Sequence, residues 1–260
     1  MKKVESTTTM NQNLLRQQQL LKPFLNDYNF DEPREQRRFD ELNQTVMFLI
    51  LSDHSWNITT VREEPDFIIS NGENSVALEH TAIRDHELVS QEGSVIDAFH
   101  RAEKKLIDDS FNHNFLANIY LNRNFEYKKS KSADVVQHIC DVVKTFVLSG
   151  SLVDSQLIER MSTMDHDRTT LSPNFGAWWQ SPITPELIKE HVNKKENLLE
   201  KYRANTQLEQ WLLLVIGHHD QGSYATLKHL NLYLKTNFDR VFLLEISALT
   251  VYEIETDANN

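Results

Sequence analysis

The sequence predicts an α/β (α+β) fold in which helices cover both faces of one mixed β-sheet. Two apolar runs, Trp211 to Ile216 and Val241 to Ile246, are typical of strands that are buried on both sides. Strand-like segments alternate with segments whose apolar residues recur at helical spacing, which is the order expected of a covered sheet. Hydrophobic residues make up 40% and charged residues 25% of the chain, as in an ordinary globular protein.

The first half of the chain begins with a well-marked helix. Pro33 opens a pattern of apolar residues three or four positions apart that ends near Leu51. Asn71-Gly72 is typical of a hairpin turn between two short strands. After the first helix, the patterns predict strands at 56–61, 66–70 and 75–81, a helix at about 94–108, a strand at 115–121 and a helix at 133–148.

The second half of the chain carries a helix with a clear start signal. Thr184 suits the N-cap, Pro185 the first helical position, and the helix runs to about Tyr202. A further helix is predicted around Thr226 to Lys235, between the two apolar strands. Trp178 and Trp179 precede the Thr184 helix, and either anchor a loop or stack on bases.

The length of 260 residues suits one large domain or two small ones. No repeat and no long linker rich in Gly, Ser or Pro divides the chain. The simplest organisation is a polar N-terminal extension over residues 1–32, followed by one domain over residues 33–260.

Composition excludes a membrane partner and two classes of nucleotide-binding protein. The longest apolar run is far shorter than the roughly 20 residues of a membrane-spanning helix. The polar start and the single Cys140 predict a cytoplasmic protein. No two of the six glycines are two residues apart, which excludes a dinucleotide fingerprint. Gly217 and Gly222 have P-loop spacing, but Ser223 stands where the phosphate-binding lysine belongs.

Charge is distributed unevenly along the chain, whose net charge is -11. Residues 31–100 hold five basic residues against fifteen acids, giving -10, whereas residues 101–150 hold eight against six, giving +2. The middle of the chain therefore suits contact with a polyanion, although a solvated surface explains such an excess equally well.

Two acids, Asp66 and Glu79, fall on the predicted hairpin at positions that share one sheet face. A two-residue turn at Asn71-Gly72 places Asp66 one diagonal step from Glu79, and a four-residue loop places the two directly opposite each other. In both registers Phe67 and Leu78 point to the other face. Two neighbouring carboxylates suit a hard divalent cation such as Mg²⁺. The alternative is a pair of acids on a solvent-facing strand surface.

Two further charged residues lie on apolar helix stripes. Lys195 falls in the middle of the stripe formed by Ile188, Val192, Leu199 and Tyr202, where an ammonium group is costly unless an anion receives it. The carboxylate pair is a candidate for that anion; the alternative is that Lys195 extends past the stripe to solvent. Glu35 shares a face with Phe39 and Leu42, and is either a third acid or a complement to the helix dipole.

These residues resemble the core of the PD-(D/E)XK nuclease superfamily, which has the restriction-endonuclease-like fold. The resemblance rests on Pro65-Asp66, on Glu79-His80-Thr81 and on the helix before them, and it extends over about residues 33–246. It implies that Asp66 and Glu79 bind the metal. In the family, a lysine two residues after the Glu positions the attacking water and stabilises the charged phosphorane.

The chain departs from the family pattern at Thr81, which occupies the lysine position. The sequence E-x-T at residues 79–81 resembles uncharacterised bacterial members of the superfamily. Either catalysis is lost, or the lysine has moved to another element, as in some members. Lys195 is the candidate for the migrated lysine.

Two functions follow from the resemblance. The first is a nuclease that uses Mg²⁺ or Mn²⁺ to hydrolyse phosphodiester bonds, with DNA as its partner, Asp66 and Glu79 as metal ligands, Lys195 as charge stabiliser and Glu35 as a further acid. The second is a catalytically inactive module of the same fold that binds a partner protein through its acidic surface. A homodimer is compatible with both. Burial of Lys195 against the carboxylates would favour the first.

Overall fold

A computed structural model describes residues 1–4, 10–29, 32–52, 55–122, 131–176, 180–226 and 232–257. The chain divides into two compact units, which the sequence does not predict. The first unit consists of Met1–Arg84, Gln180–His219 and Ser223–Asn260, and the second of Asp85–Trp179 and Asp220–Gly222. None of the described helices is long and apolar enough to cross a membrane.

The first unit is built around a mixed sheet that has eight strands among the described residues. Its order is β1-β13-β12-β9-β4-β3-β2, with β11 also paired to β13. The elements of this unit are β1 (Lys2–Val4), α1 (Met10–Leu21), a 3-10 helix (Lys22–Asp27), α2 (Pro33–Ser52), β2 (Asn57–Val61), β3 (Phe67–Ser70), β4 (Ser75–Ala82), β8 (Ser181–Pro182), α5 (Pro185–Glu196), α6 (Leu199–Thr206), β9 (Glu209–Ile216), β10 (Tyr224–Ala225), β11 (Tyr233–Lys235), β12 (Arg240–Glu245) and β13 (Thr250–Asp257).

The central strand β9 shows why its sequence is apolar throughout. Trp211, Leu213 and Val215 pack with residues of α2 on one face of the sheet. Leu212, Leu214 and Ile216 pack with residues of α5 and α6 on the other. Because both faces are covered, every side chain of the run is buried. The predicted α/β class, with helices on both faces of a mixed sheet, is confirmed.

The hairpin of β3 and β4 takes the longer of the two registers left open by the sequence. Phe67 pairs with Leu78 and Ser70 with Ser75, so Asn71–Asn74 form a four-residue loop. The Asn71 side chain accepts hydrogen bonds from the backbone N–H groups of Glu73 and Asn74, and Gly72 has a positive φ of 93°. The two-residue turn is therefore wrong, whereas the predicted division of side chains between the two faces is confirmed.

The second unit has a separate core. Its described elements are α3 (His86–Asp108), β5 (Phe115–Leu121), α4 (Ser132–Ser149), β6 (Ile158–Asp165) and β7 (Thr170–Asn174). Strand β5 lies between β6 and β7 in a three-stranded sheet, and its alternate residues pack against the two helices. Cys140 is buried in this core as a free thiol.

Three predicted elements differ from the structure. The helix predicted around Thr226–Lys235 is wrong where the chain is described, because Tyr233–Lys235 form β11, which pairs with β13; residues 227–231 lie outside the described part. Helix α3 begins eight residues earlier than predicted, since the Asp85 side chain caps it by accepting from Glu87 and Leu88 N–H groups. The helix that starts at Thr184 is interrupted after Glu196.

The region that the sequence assigns to an N-terminal extension contains regular structure. Strand β1 pairs with β13 at the edge of the main sheet, and Leu20 of α1 is buried in the same core as α2. The division into an extension over residues 1–32 and a domain over residues 33–260 stays a prediction. Trp178 and Trp179 lie outside the described residues, and so does their expected role.

Candidate active site

Strands β3 and β4 position the two predicted acids opposite each other. Phe67 pairs with Leu78, so one step further along the ladder Asp66 faces Glu79. The backbone N–H of His80 donates to Asp66 Oδ2 at 2.8 Å, which fixes that carboxylate at the start of β3. Glu79 is only 4% exposed, because β4 is an inner strand and Lys195 of α5 and Tyr202 of α6 both interact with its side chain. A solvent-facing position for the pair is therefore wrong for Glu79.

Lys195 reaches the carboxylates from α5. The apolar stripe of that helix is buried at Ile188 and Val192, and continues in α6 at Leu199 and Tyr202. Lys195 Nζ lies 2.6 Å from Glu79 Oε1, and the lysine side chain is 26% exposed. The expectation that Lys195 projects from the stripe toward the acids is thus confirmed as geometry, and the alternative that it extends away to solvent is wrong.

One carboxylate oxygen of this cluster has no hydrogen-bond partner among the described residues. Glu79 Oε2 is buried and accepts no hydrogen bond from any described residue. An unsatisfied buried carboxylate oxygen is costly, so the position favours a ligand that donates to it or coordinates it. Tyr202, also buried, has its pKa raised by burial, by the negative charge of Glu79 and by a side-chain hydrogen bond with the Glu79 carboxylate.

Burial and like charge act together on Asp66. They raise the pKa of its carboxyl to about 7, with burial as the larger cause and the neighbouring Glu79 charge as the second. The His80 N–H and the Lys195 ammonium act in the opposite direction. The raised pKa of Asp66 shows that two negative charges at this spacing repel each other. A bound cation would stabilise the ionised form of both carboxylates.

Helix α2 contributes a different acid from the one predicted. Glu35 forms an ion pair with Arg38 at 3.5 Å. Glu41 instead interacts electrostatically with Asp66, Glu79 and Lys195, and burial raises the pKa of its carboxyl. The sequence contained a signal for Glu41, since it precedes the buried Thr45 by four residues and the buried Phe48 by seven. The sequence pattern favours Glu35 as the third acid, because Glu35 lies on the same helix face as Phe39 and Leu42.

His80 supports the site from the opposite face of β4. Its ring Nε2 lies 2.8 Å from Gln44 Oε1 of α2. Burial, together with the positive charges around it, lowers the pKa of His80 to about 3, so the ring is neutral at physiological pH. The backbone N–H that His80 donates to Asp66 is positioned by strand β4, of which His80 is part. Thr81, at the lysine position of the family motif, uses its hydroxyl to donate to the His80 carbonyl oxygen.

The residues present fit a divalent metal of the Mg²⁺ type. Among the described residues, no group of three or more His, Cys, Asp or Glu side chains is arranged to hold a metal ion. Mg²⁺ is commonly bound through one or two carboxylates, with phosphate oxygens of the substrate and water completing its shell. Asp66 and Glu79, whose Oε2 has no hydrogen-bond partner among the described residues, offer carboxylate oxygens of the kind that such an ion takes.

Comparison with known proteins finds no relative of this chain. No family model matches the chain, and no curated protein or solved structure matches it either.

Proposed function

We propose that this protein is a divalent-metal-dependent nuclease that hydrolyses phosphodiester bonds of DNA. The observation that carries the proposal is the ion pair between Lys195 and Glu79 at 2.6 Å, in a helix stripe that is otherwise apolar. Burying a lysine in such an apolar stripe costs free energy unless an anion pairs with its ammonium group. Its place beside two acids is the one expected of the migrated lysine in the PD-(D/E)XK resemblance, and supports a restriction-endonuclease-like fold for the first unit.

The chain's residues divide the work of hydrolysis between them. Asp66 and Glu79 would hold Mg²⁺ or Mn²⁺, with Asp66 oriented by the His80 N–H. When bound, such an ion lowers the pKa of a coordinated water and neutralises charge on a phosphate oxygen. Lys195 stands close enough to Glu79 to stabilise negative charge that develops on the same phosphate. No covalent nucleophile is needed.

The alternative, a catalytically inactive module that binds a partner protein through its acidic surface, gives no reason for Lys195 to be held against Glu79. A decayed site could lose Lys195 and Glu79 together, because replacing both partners of a buried ion pair by apolar residues is often neutral or stabilising. The geometry therefore supports the nuclease. We place its action in the cytoplasm, on the ground that the single cysteine is a free buried thiol.

The test is cleavage of plasmid and single-stranded DNA in the presence of Mg²⁺ or Mn²⁺. The wild-type protein should cleave at least one substrate, and chelation by EDTA should stop it. Asp66→Ala should be inactive while its circular dichroism spectrum is unchanged. Cleavage by Asp66→Ala at the wild-type rate, or no cleavage by either protein with either metal, would overturn the proposal.

A further inference from the structure

An unusual concentration of arginine lies beside Asp66. A cavity of about 290 Å³ is lined by Arg34, Arg37 and Arg38 of α2 and by Arg62, which follows β2. These are four of the five basic residues in the otherwise acidic stretch 31–100. The fold therefore gathers nearly all the positive charge of that stretch at one place, which the charge count along the chain does not reveal.

The acids around the cavity form ion pairs with only two of these four arginines. Glu63 forms ion pairs with both Arg34 and Arg38, and Arg38 also contacts Glu35. Arg37 and Arg62 have no side-chain hydrogen bond or ion pair with any described residue, although the charge of Arg37 acts to lower the pKa of Glu41. Two guanidinium groups thus face one cavity with their donors unused by the rest of the described chain.

The cavity is continuous with the candidate active site. Asp66 and Glu41 line it together with the arginines. It therefore brings two acids, beside which a cation would be held, together with the guanidinium groups of Arg37 and Arg62. A ligand that contacts both the cation and a guanidinium group carries negative charge. The phosphate groups of a nucleic-acid strand have this chemistry.

We propose that Arg37 and Arg62 bind a phosphate group of the substrate strand next to the one that is cleaved. This inference rests on the proposed nuclease function for the identity of the ligand, but it can be tested without cleavage. Arginine suits the role because its planar group donates two parallel hydrogen bonds to phosphate and stays charged at all working pH values. The bound phosphate belongs either to the internal backbone or to a strand end.

The experiment is equilibrium binding of a fluorescent DNA duplex in EDTA, where no cleavage occurs. The variants are Arg37→Gln, Arg62→Gln and the double variant. Arg168→Gln is the matched control, because Arg168 is exposed and makes no side-chain contact among the described residues. Each site variant should weaken binding by about tenfold and reduce the slope of log K against log salt concentration by about 1. Duplexes with 5′-phosphate and 5′-hydroxyl ends are compared.

Each outcome separates this inference from the nuclease proposal. Equal losses on both duplexes assign the site to a backbone phosphate, and a loss confined to the 5′-phosphorylated duplex assigns it to a strand end. Wild-type affinity and salt slope in the double variant would overturn the arginine site, even if the protein cleaves DNA. Weakened binding without any metal-dependent cleavage would leave the site standing and overturn the nuclease. Unchanged circular dichroism spectra of the variants exclude misfolding.

Discussion

Lys195 shows how one polar residue in an apolar pattern carries functional information. Its neighbours on the stripe are buried, and its ammonium group finds the one carboxylate on the facing strand that is almost fully buried. Periodicity was enough to predict this contact, because the helix angle and the two-residue period of the strand are both fixed by backbone geometry. It did not single out Glu41, because Glu41 shares a helix face with Thr45 and Phe48 just as Glu35 shares one with Phe39 and Leu42.

Replacing Lys195 by Met tests its role directly. Lys195→Met keeps most of the side-chain volume and removes the charge, so we expect cleavage to fall by about 100-fold or more. Because Glu79 loses its partner, the free energy of unfolding should also fall, by about 1–3 kcal/mol for this partly exposed pair. Cleavage assays and urea denaturation measure the two effects.

Lys194→Met is the matched control. Lys194 is exposed and pairs with Glu190 on the same helix at 2.7 Å, so we expect it to change neither quantity appreciably. Equal activity of Lys195→Met and Lys194→Met would contradict a role for Lys195 in charge stabilisation.

His218 gives the first unit a predictable sensitivity to acid. Burial and the Arg84 guanidinium, 2.5 Å from its Nδ1, lower the pKa of His218 to about 4. The unfolded chain binds a proton near pH 6.5, before the folded protein does, so this contribution to stability is complete above pH 6.5 and is lost as pH falls toward 4. We expect His218→Gln to make the free energy of unfolding less dependent on pH in that range.

The exposed neighbour His219 provides the control for this pH effect. His219→Gln should change the pH dependence much less than His218→Gln, since His219 is exposed and affects the pKa of His218 less than burial and Arg84 do. Urea denaturation at intervals between pH 7 and pH 4 measures both variants. Parallel curves for His218→Gln and the wild type would show that His218 does not carry the effect.

At the scale of elements, local sequence signals predict where helices and strands lie better than they predict loop lengths or which strands pair. The apolar alternation of β3 and β4 fixed which side chains share a face, but a two-residue and a four-residue loop preserve the same alternation, so the sequence could not choose between them. The local pattern near Tyr233 predicts a helix, because the pairing of this segment with β13 is a long-range contact with no local signature. The second unit went unrecognised since no linker precedes it.

Replacing two glycines of the second unit by alanine should have opposite effects on the free energy of unfolding. Gly93 lies inside α3 with open space around its Cβ position, so Gly93→Ala should stabilise the protein by about 0.5–1 kcal/mol. Gly150 ends α4 with a φ of 70°, and Gly150→Ala should cost about 1 kcal/mol despite equally open space. Urea denaturation measures both. A destabilising Gly93→Ala would contradict the early start of α3.

At the scale of the whole molecule, the chain builds two cores from different stretches of sequence. The candidate site belongs to the first unit, in which β4, α2, α5, α6 and the segment just before β3 supply its residues. The core of the second unit comes from α3, α4 and the sheet around β5. A ligand of the candidate site should therefore affect the two units unequally.

Hydrogen exchange with and without Mn²⁺ tests this difference and the metal site together. A metal that binds only the folded state stabilises it by about 2.7 kcal/mol at one hundred times the dissociation constant. Backbone amides of β3, β4 and α5 should exchange more slowly with Mn²⁺, because Asp66 and Glu79 lie on or beside these elements. Amides of α3 and α4 serve as the internal reference, and their exchange should change less. Asp66→Ala and Glu79→Ala should remove the protection, and protection that persists in both variants would place the metal elsewhere.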